Sequence, residues 1–297
     1  MAGKIRIGVS GWRYAPWRGN FYPPGLAQAR ELEYASRRFP SIELNGSFYS
    51  LQRPTSYAQW ARQTPEGFVF AIKGSRYITH MLRLRNIEAA MANFLASGLF
   101  ALGDKLGPFL WQFPPNMGYD KALFEAFFRR LPKTMAAAAR LAQGRDQRLK
   151  GRDLLEPPAN RRLRHAVEVR HPSFVDPEFI ELLRKYNVAW VVADTPRPWP
   201  RFEDVTADFI YMRLHGATEL YQSRYTSRQL DRWAACMRAW STGGQPSDAR
   251  LISTVAPAPR RTRDVYCYFD NTDKVHAPDN ARELMAKVGL GSTPAEV

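Results

Sequence analysis

The chain has 297 residues, 45% hydrophobic and 24% charged, a composition that excludes a disordered polyelectrolyte and fits a folded globular protein with a sizeable core. No apolar run approaches the ~18 residues of a membrane span, and two cysteines far apart, Cys236 and Cys267, exclude a zinc-binding spacing. The formal net charge of +15 attracts polyanions without specificity. It also fits a plain excess of arginine codons, since much of it falls between Arg140 and Arg164.

Short apolar runs alternate with amphipathic ones almost without a break. Strand one is expected at Ile5 to Val9, an apolar run too short and too early to read as a signal h-region. An aromatic loop, Gly11 to Pro23, leads to a helix over Gln28 to Arg38. Strand two is Ser41 to Asn45, with a short helix at Thr55 to Arg62. Strand three is Phe68 to Lys73, followed by a helix over Ile87 to Phe100. Strand four is Gly107 to Gln112, with its helix over Tyr119 to Arg130.

Residues 132–164 are basic and weakly periodic, and read as an insertion, helical at Met135 to Ala142, that delays strand five. That strand is His165 to Arg170, and its helix Asp176 to Tyr186 is capped by Asp176 with Pro177 in the first turn. Strand six is Val188 to Asp194, with a short Pro-rich connection. Strand seven is Asp208 to His215, with a helix over Ser227 to Trp240. After a Gly/Pro-rich loop, Gly243 to Pro259, come strand eight, Asp264 to Asp270, and a last helix over Pro278 to Val288.

Eight strands alternating with helices at this length predict an α/β fold, a single (βα)8 TIM-type barrel spanning residues 1–297. A doubly wound open sheet usually announces itself with a Gly-rich turn after strand one. That turn here holds Trp12, Tyr14 and Trp17 instead. The two cysteines sit in a helix and a strand pattern and are expected to be buried thiols, which suits a cytoplasmic protein without membrane contact.

In such a barrel the chemistry lies at the carboxyl ends of the strands. Glu43-Leu44-Asn45, Glu168-Val169-Arg170 and Arg213-Leu214-His215 each place two polar side chains on one face, with an apolar residue on the other. With Lys73, Gln112, Asp194 and Asp270 at the other strand ends, they are expected to converge on one mouth. Buried ion pairs stabilise poorly, so a whole ring of them points to a functional site.

The candidate catalytic groups are Glu43, Lys73, Glu168, Asp194, His215 and Asp270. Two carboxylates such as Glu43 and Glu168 suit divided acid and base roles, and His215 beside Arg213 suits a neutral base. Candidate substrate contacts are Trp12, Tyr14, Asn45, Tyr49, Arg76, Gln112, Arg170, Arg213 and Asn271. Tyr14 and Tyr49 suit stacking on a sugar or base, while Trp12 and Phe21 suit hydrophobic capping of the barrel somewhat better than stacking. Among the histidines, His80 and His171 read as loop residues, His165 as structural at the barrel's bottom, and His276 as an exposed loop residue.

Cations among the carboxylates argue against a metal cage and for an anionic or carbonyl substrate, so neither metal nor cofactor is expected. The first reading is a metal-independent hydrolase or lyase acting on a small anionic or sugar-containing molecule. A second is a nucleic-acid-binding or nucleic-acid-processing protein that uses the basic stretch beside the mouth. A third is a non-catalytic ligand-binding barrel.

These same segments resemble the domain of unknown function 72 family, the YecE-like proteins. The resemblance rests on Gly8-Val9-Ser10-Gly11-Trp12, Glu43 to Tyr49, Phe70 to Lys73 with Thr79-His80, and Leu110 to Pro115. It continues through Glu168 to Phe174, Arg213 to Gly216 and Tyr268 to Thr272. It implies a TIM barrel and no defined activity. Gly46 departs from the pattern, since members often carry a side chain there.

Overall fold

The computed structural model describes residues 2–149, 151–271 and 275–291. Thr272 of the strand-eight motif, Lys150 of the insertion and both ends of the 1–297 span lie outside them.

Eight parallel strands close into one barrel in chain order. They are β1 Ile5–Ser10, β2 Ser41–Leu44, β3 Val69–Lys73, β4 Leu106–Gln112, β5 His165–Glu168, β6 Val188–Asp194, β7 Phe209–Leu214 and β8 Asp264–Phe269. Gly8 pairs with Ser41 across β1 and β2. A Cβ at Gly8 would lie 1.8 Å from the Ser41 carbonyl oxygen, so only glycine allows that approach.

The helices form the outer ring. They are α1 Glu31–Ser36, α2 Gly46–Tyr49, α3 Pro54–Gln63, α4 Glu88–Ala96, α5 Lys121–Arg130, α6 Met135–Ala142, α7 Pro177–Tyr186, α8 Ser227–Ser241 and α9 His276–Lys287. Their starts follow the capping chemistry. Asp176 accepts from the Glu178 amide ahead of Pro177 in α7, and Thr226 with Gln229 forms a capping box on α8. Two predicted helices are shorter than their periodicity suggested. Gln28–Arg30 is a 3-10 turn leading into α1, and α4 stops at Ala96 because Gly98 takes φ 115°. His276 is half-buried in the first turn of α9 rather than exposed in a loop. No helix among the described residues is long and apolar enough to cross a membrane.

Side-chain alternation divides the core into two compartments. Ile7, Val9, Ile42, Leu44, Phe70, Ile72, Val167, Met212 and Phe269 face the helices. Ala71, Leu110, Ala166, Ala189, Val191, Tyr211 and Tyr268 fill the barrel itself. The interior narrows onto Tyr211 and Tyr268, whose rings lie 5.3 Å apart, and the Tyr268 hydroxyl is 2.7 Å from Ser41 Oγ. Everything polar at the mouth rests on this aromatic floor.

The stretch 132–164 is woven into the outer wall. Its helix α6 packs against α4, and Asn93 exchanges hydrogen bonds with Asp146. His165, at the barrel's lower end, shares a 2.8 Å hydrogen bond with the Pro132 carbonyl and accepts from Trp111 Nε1 at 3.2 Å. Burial, partly opposed by the Pro132 carbonyl, pushes its pKa down to about 3.

Candidate functional site

One layer above the tyrosine floor, Arg213 projects inward from β7 and collects three carboxylates. Its Nε donates to Glu43 Oε2 at 3.0 Å and its Nη2 to Glu43 Oε1 at 2.9 Å. Its Nη1 donates to Glu168 Oε2 at 2.7 Å, and Nη2 reaches Asp270 Oδ2 at 3.0 Å. Burial alone would lower the Arg213 pKa, but Asp270, Glu43 and Glu168 outweigh it and hold the guanidinium charged.

Glu43 is fully committed. The Ser10 hydroxyl donates to Oε1 at 2.7 Å and the Tyr211 hydroxyl to Oε2 at 2.7 Å, so each oxygen accepts two bonds. Glu168 takes Arg170 on its other oxygen, with Nε at 2.8 Å and Nη2 at 2.6 Å. Burial favours its neutral acid, yet Arg170, Arg213 and His215 together hold it well below the usual carboxylate range. Asp270 is likewise held down, burial being overcome by Arg213, His215 and Lys73.

His215 stands beside this cluster, fully buried. Its Nδ1 lies 2.9 Å from Asp270 Oδ2, while Nε2 has no hydrogen-bond partner among the described residues and faces Glu168 Oε2 at 3.5 Å. Trp199, from the β6–β7 connection, meets the His215 ring edge-on at 6.0 Å and lies under the Arg170 guanidinium at 3.8 Å. That connection carries no helix and lays Trp199 across one side of the mouth.

Above the cluster is an open cleft of about 570 Å³. Among the described residues its charged lining is Lys73, Arg76 and Arg170, with His80 and Gln112 between them, and it includes no carboxylate. Phe48, Tyr49 and Tyr221 supply aromatic walls, and Tyr49 is 64% exposed. Lys73 Nζ lies 4.2 Å above the Phe48 ring. Burial, reinforced by Arg213 and resisted by Glu43, Asp270 and Glu168, brings its pKa down to about 8.

His80 sits in a π-helical turn, Tyr77–Met81, after β3. Burial and the charges of Lys73, Arg170, Arg76 and Arg83 push its pKa down to about 4, so the ring is neutral. It shares a 2.8 Å bond with Thr79 Oγ1 through Nδ1, and Gln112 Nε2 approaches its other nitrogen at 3.3 Å. A larger hollow of about 840 Å³ lies at the opposite end of the barrel, where Phe39, Pro65 and Leu290 meet. Its charged lining is Arg37, Arg38 and Glu66.

The structure therefore brings Glu43, Lys73, Glu168, Arg170, Arg213, His215 and Asp270 together, with Gln112 in the cleft wall and Asn45 donating to Ser10 Oγ at 2.8 Å. Four expected members lie elsewhere. Asp194 falls on the outward parity of β6 and reaches into the helix layer, where Trp233 Nε1 donates to it at 3.1 Å and Arg201 pairs with it at 2.8 Å. Asn271, one residue past the inward Asp270, is fully buried and donates to the Ser223 carbonyl and to Asn280 Oδ1. Trp12 is turned out of the mouth by Gly11 at φ 81° and packs between Trp60 and Phe70. Tyr14 is half-buried against Trp17, its hydroxyl donating to the Ser10 carbonyl at 2.6 Å.

Ser10, Tyr211, Phe48, Trp199 and Tyr221 are site residues that the strand-end reading omitted. Ser10 and Tyr211 were accessible to it, since Tyr211 shares a face with Arg213 and Ser10 is the last residue of β1. The loop residues carry no such periodic signal.

The last part of the basic stretch lies at the opposite end of the barrel from the mouth. Arg162 pairs with Asp208 and Arg164 with Asp264, at the entry ends of β7 and β8. Arg145, Arg148 and Arg161 face Asp153, Asp146 and Asp104. No group of three or more metal-ligating side chains among the described residues is disposed to hold an ion. The Arg213 guanidinium occupies the space between the three carboxylates.

The profile of the family described as "Protein of unknown function DUF72" matches residues 6–296. The chain is 33% identical over 116 residues to the UPF0759 protein YunF of Bacillus subtilis, a match covering 37% of this chain and 40% of that protein. It is 28% identical over 114 residues to the UPF0759 protein YecE of Escherichia coli, covering 38% of this chain and 39% of that one. These matches thus span about two fifths of each curated relative. A DUF72 family protein from Thermotoga maritima superposes with a TM-score of 0.68 at 24% identity, over 95% of this chain and 98% of that one. One from Enterococcus faecalis also gives 0.68, at 17% identity, over 99% of both.

Proposed function

Since this chain belongs to the DUF72 family, a name that carries a fold and no reaction, its activity has to be read from the barrel mouth, and we propose that it binds and transforms a small anionic molecule there. The observation that carries this reading is the cleft whose charged walls are Lys73, Arg76 and Arg170, with no carboxylate lining it among the described residues. The acids are withdrawn into the layer beneath, where Arg213 bridges all three and Arg170 pairs with Glu168. An unbalanced cationic wall in a partly desolvated cleft suits a carboxylate or phosphate.

The chemistry in keeping with these groups is a metal-independent hydrolase or lyase reaction. Lys73 is the proton-transferring group, since its pKa of about 8 lies close to neutral pH. Tyr49, exposed at the rim, offers a stacking face to a sugar or other flat moiety.

Titration calorimetry with phosphate- and carboxylate-bearing sugars, at fixed salt, tests this. Saturable binding that weakens at least tenfold in Arg76→Ala, without loss of thermal stability, supports it. Binding that ignores Arg76→Ala and Lys73→Met and vanishes with added salt would leave only the general attraction of a +15 chain.

A further inference from the structure

The cations of the mouth are not equivalent. Arg170 and Arg213 are each locked to Glu168 by charged hydrogen bonds. The Lys73 ammonium has no hydrogen bond and no ion pair among the described residues, and rests on the face of Phe48. It stands at the end of a rigid strand, opening into the cleft with Arg76 and Arg170 on the same wall. A buried amine that no hydrogen bond or ion pair ties down, and whose pKa burial lowers, is available as a nucleophile in its neutral form.

We infer that Lys73 forms an imine with a small anionic carbonyl compound, an aldehyde acid or 2-oxo acid, whose acid group is met by Arg76 and Arg170. This rests on the anion-binding reading of the same cleft and names its substrate class. The Nζ lone pair attacks the carbonyl carbon, forming a C–N bond and a carbinolamine after proton transfer from nitrogen to oxygen. The hydroxyl then leaves as water with the second amine proton, giving a neutral C=N bond. One proton from solvent makes it an iminium. No electron is gained or lost, and no co-reactant is needed.

The environment favours the reactive form. With a pKa of about 8, roughly a tenth of Lys73 is neutral at pH 7, against about one part in three thousand for an ordinary lysine. The resulting iminium would sit above Glu43, Glu168 and Asp270, whose charges favour a cation at this spot. It would act as an electron sink for cleavage or proton removal at the neighbouring carbon.

The test is reductive trapping of the full chain. Protein is incubated with glyoxylate or pyruvate at low millimolar concentration, reduced with cyanoborohydride, digested and analysed by mass spectrometry. The expected result is a single reduced adduct on the peptide containing Lys73, absent in Lys73→Arg, which keeps the charge. Calorimetry with lactate, which has the acid but no carbonyl, runs in parallel on wild type, Lys73→Arg and Arg76→Ala. Lactate binding that persists in Lys73→Arg and weakens in Arg76→Ala, together with trapping at Lys73 in the wild type, supports both readings. Lactate binding with no adduct overturns the imine and leaves the anion site standing. Adducts spread over surface lysines and unchanged in Lys73→Arg, with no lactate binding, overturn both.

Discussion

Arg213 holds Glu43 through two nitrogens at once, 3.0 Å and 2.9 Å from the two carboxylate oxygens, with both residues essentially inaccessible to water. Such a pair adds little over a well-packed apolar replacement, but breaking it from one side leaves a buried charge uncompensated. Glu43→Gln keeps shape and removes charge. It is expected to lower unfolding free energy by ~3–5 kcal/mol, read as a lower urea midpoint at unchanged slope. A loss below ~1 kcal/mol would show that Arg213 is satisfied by Glu168 and Asp270 alone.

Asp194 supplies the contrasting case. Its side chain is held by Trp233 and Arg201 in the helix layer, so Asp194→Asn should cost ~1 kcal/mol of stability, the usual range for one partly exposed pair. Anion affinity at the mouth should stay within a factor of about two, since nothing reaching the cleft is altered. If calorimetry shows a loss as large as in Arg76→Ala, the outward placement is wrong.

The difference between these two acids marks what the sequence can convey. Glu43, Glu168 and Arg213 sit in polar-x-polar triplets whose middle residue is apolar, so the inward face is written locally. Strand β6 reads Val-Ala-Trp-Val-Val-Ala-Asp, apolar on both faces as parallel strands are, and its end residue carries no parity mark. Only Trp190 and Val192 packing outward, with Ala189 and Val191 inward, reveals that Asp194 must point away from the axis. Asn271 fails by one step of the same alternation. Trp12 fails because Gly11 leaves the strand path at positive φ. Loop contributors such as Phe48, Trp199 and Tyr221 depend on chain reversals that no periodicity encodes.

Lys73 should be a cost to the fold. Burial lowers its pKa from the ordinary 10.5 to about 8, so the unfolded chain binds the extra proton more tightly. Lys73→Met is therefore expected to raise unfolding free energy by about 1–3 kcal/mol at pH 7. The sign fixes the window. The advantage is full below pH 8 and shrinks as pH rises toward 10.5, where wild type no longer carries the charge in either state. Urea midpoints of both proteins from pH 7 to pH 10 check this; a constant gap would remove the charge explanation.

His165 gives a pH dependence of the same sign in a more acidic window. It is neutral when folded, with its pKa pushed down to about 3 by burial, whereas the unfolded chain takes up a proton near 6.5. The stability it contributes is present above pH 6.5 and is lost as pH falls toward 3, amounting to ~2 kcal/mol by pH 5. His80, whose pKa is also lowered, adds to the same trend. The urea midpoint should fall between pH 7 and pH 5, and fall less in His165→Gln, which keeps a donor and an acceptor near Pro132 and Trp111.

The floor of two tyrosines and the carboxylate cluster around Arg213 are closed on themselves, whereas Tyr49, Arg76 and Met81 are exposed on the rim. The first group tolerates almost no piecemeal exchange, because each member's charge or hydroxyl is balanced by the others. The second is exchanged freely at little risk to folding. A chassis of this kind can be retargeted: libraries confined to Tyr49, Arg76 and Met81 would diversify ligand choice while leaving the cluster beneath them intact.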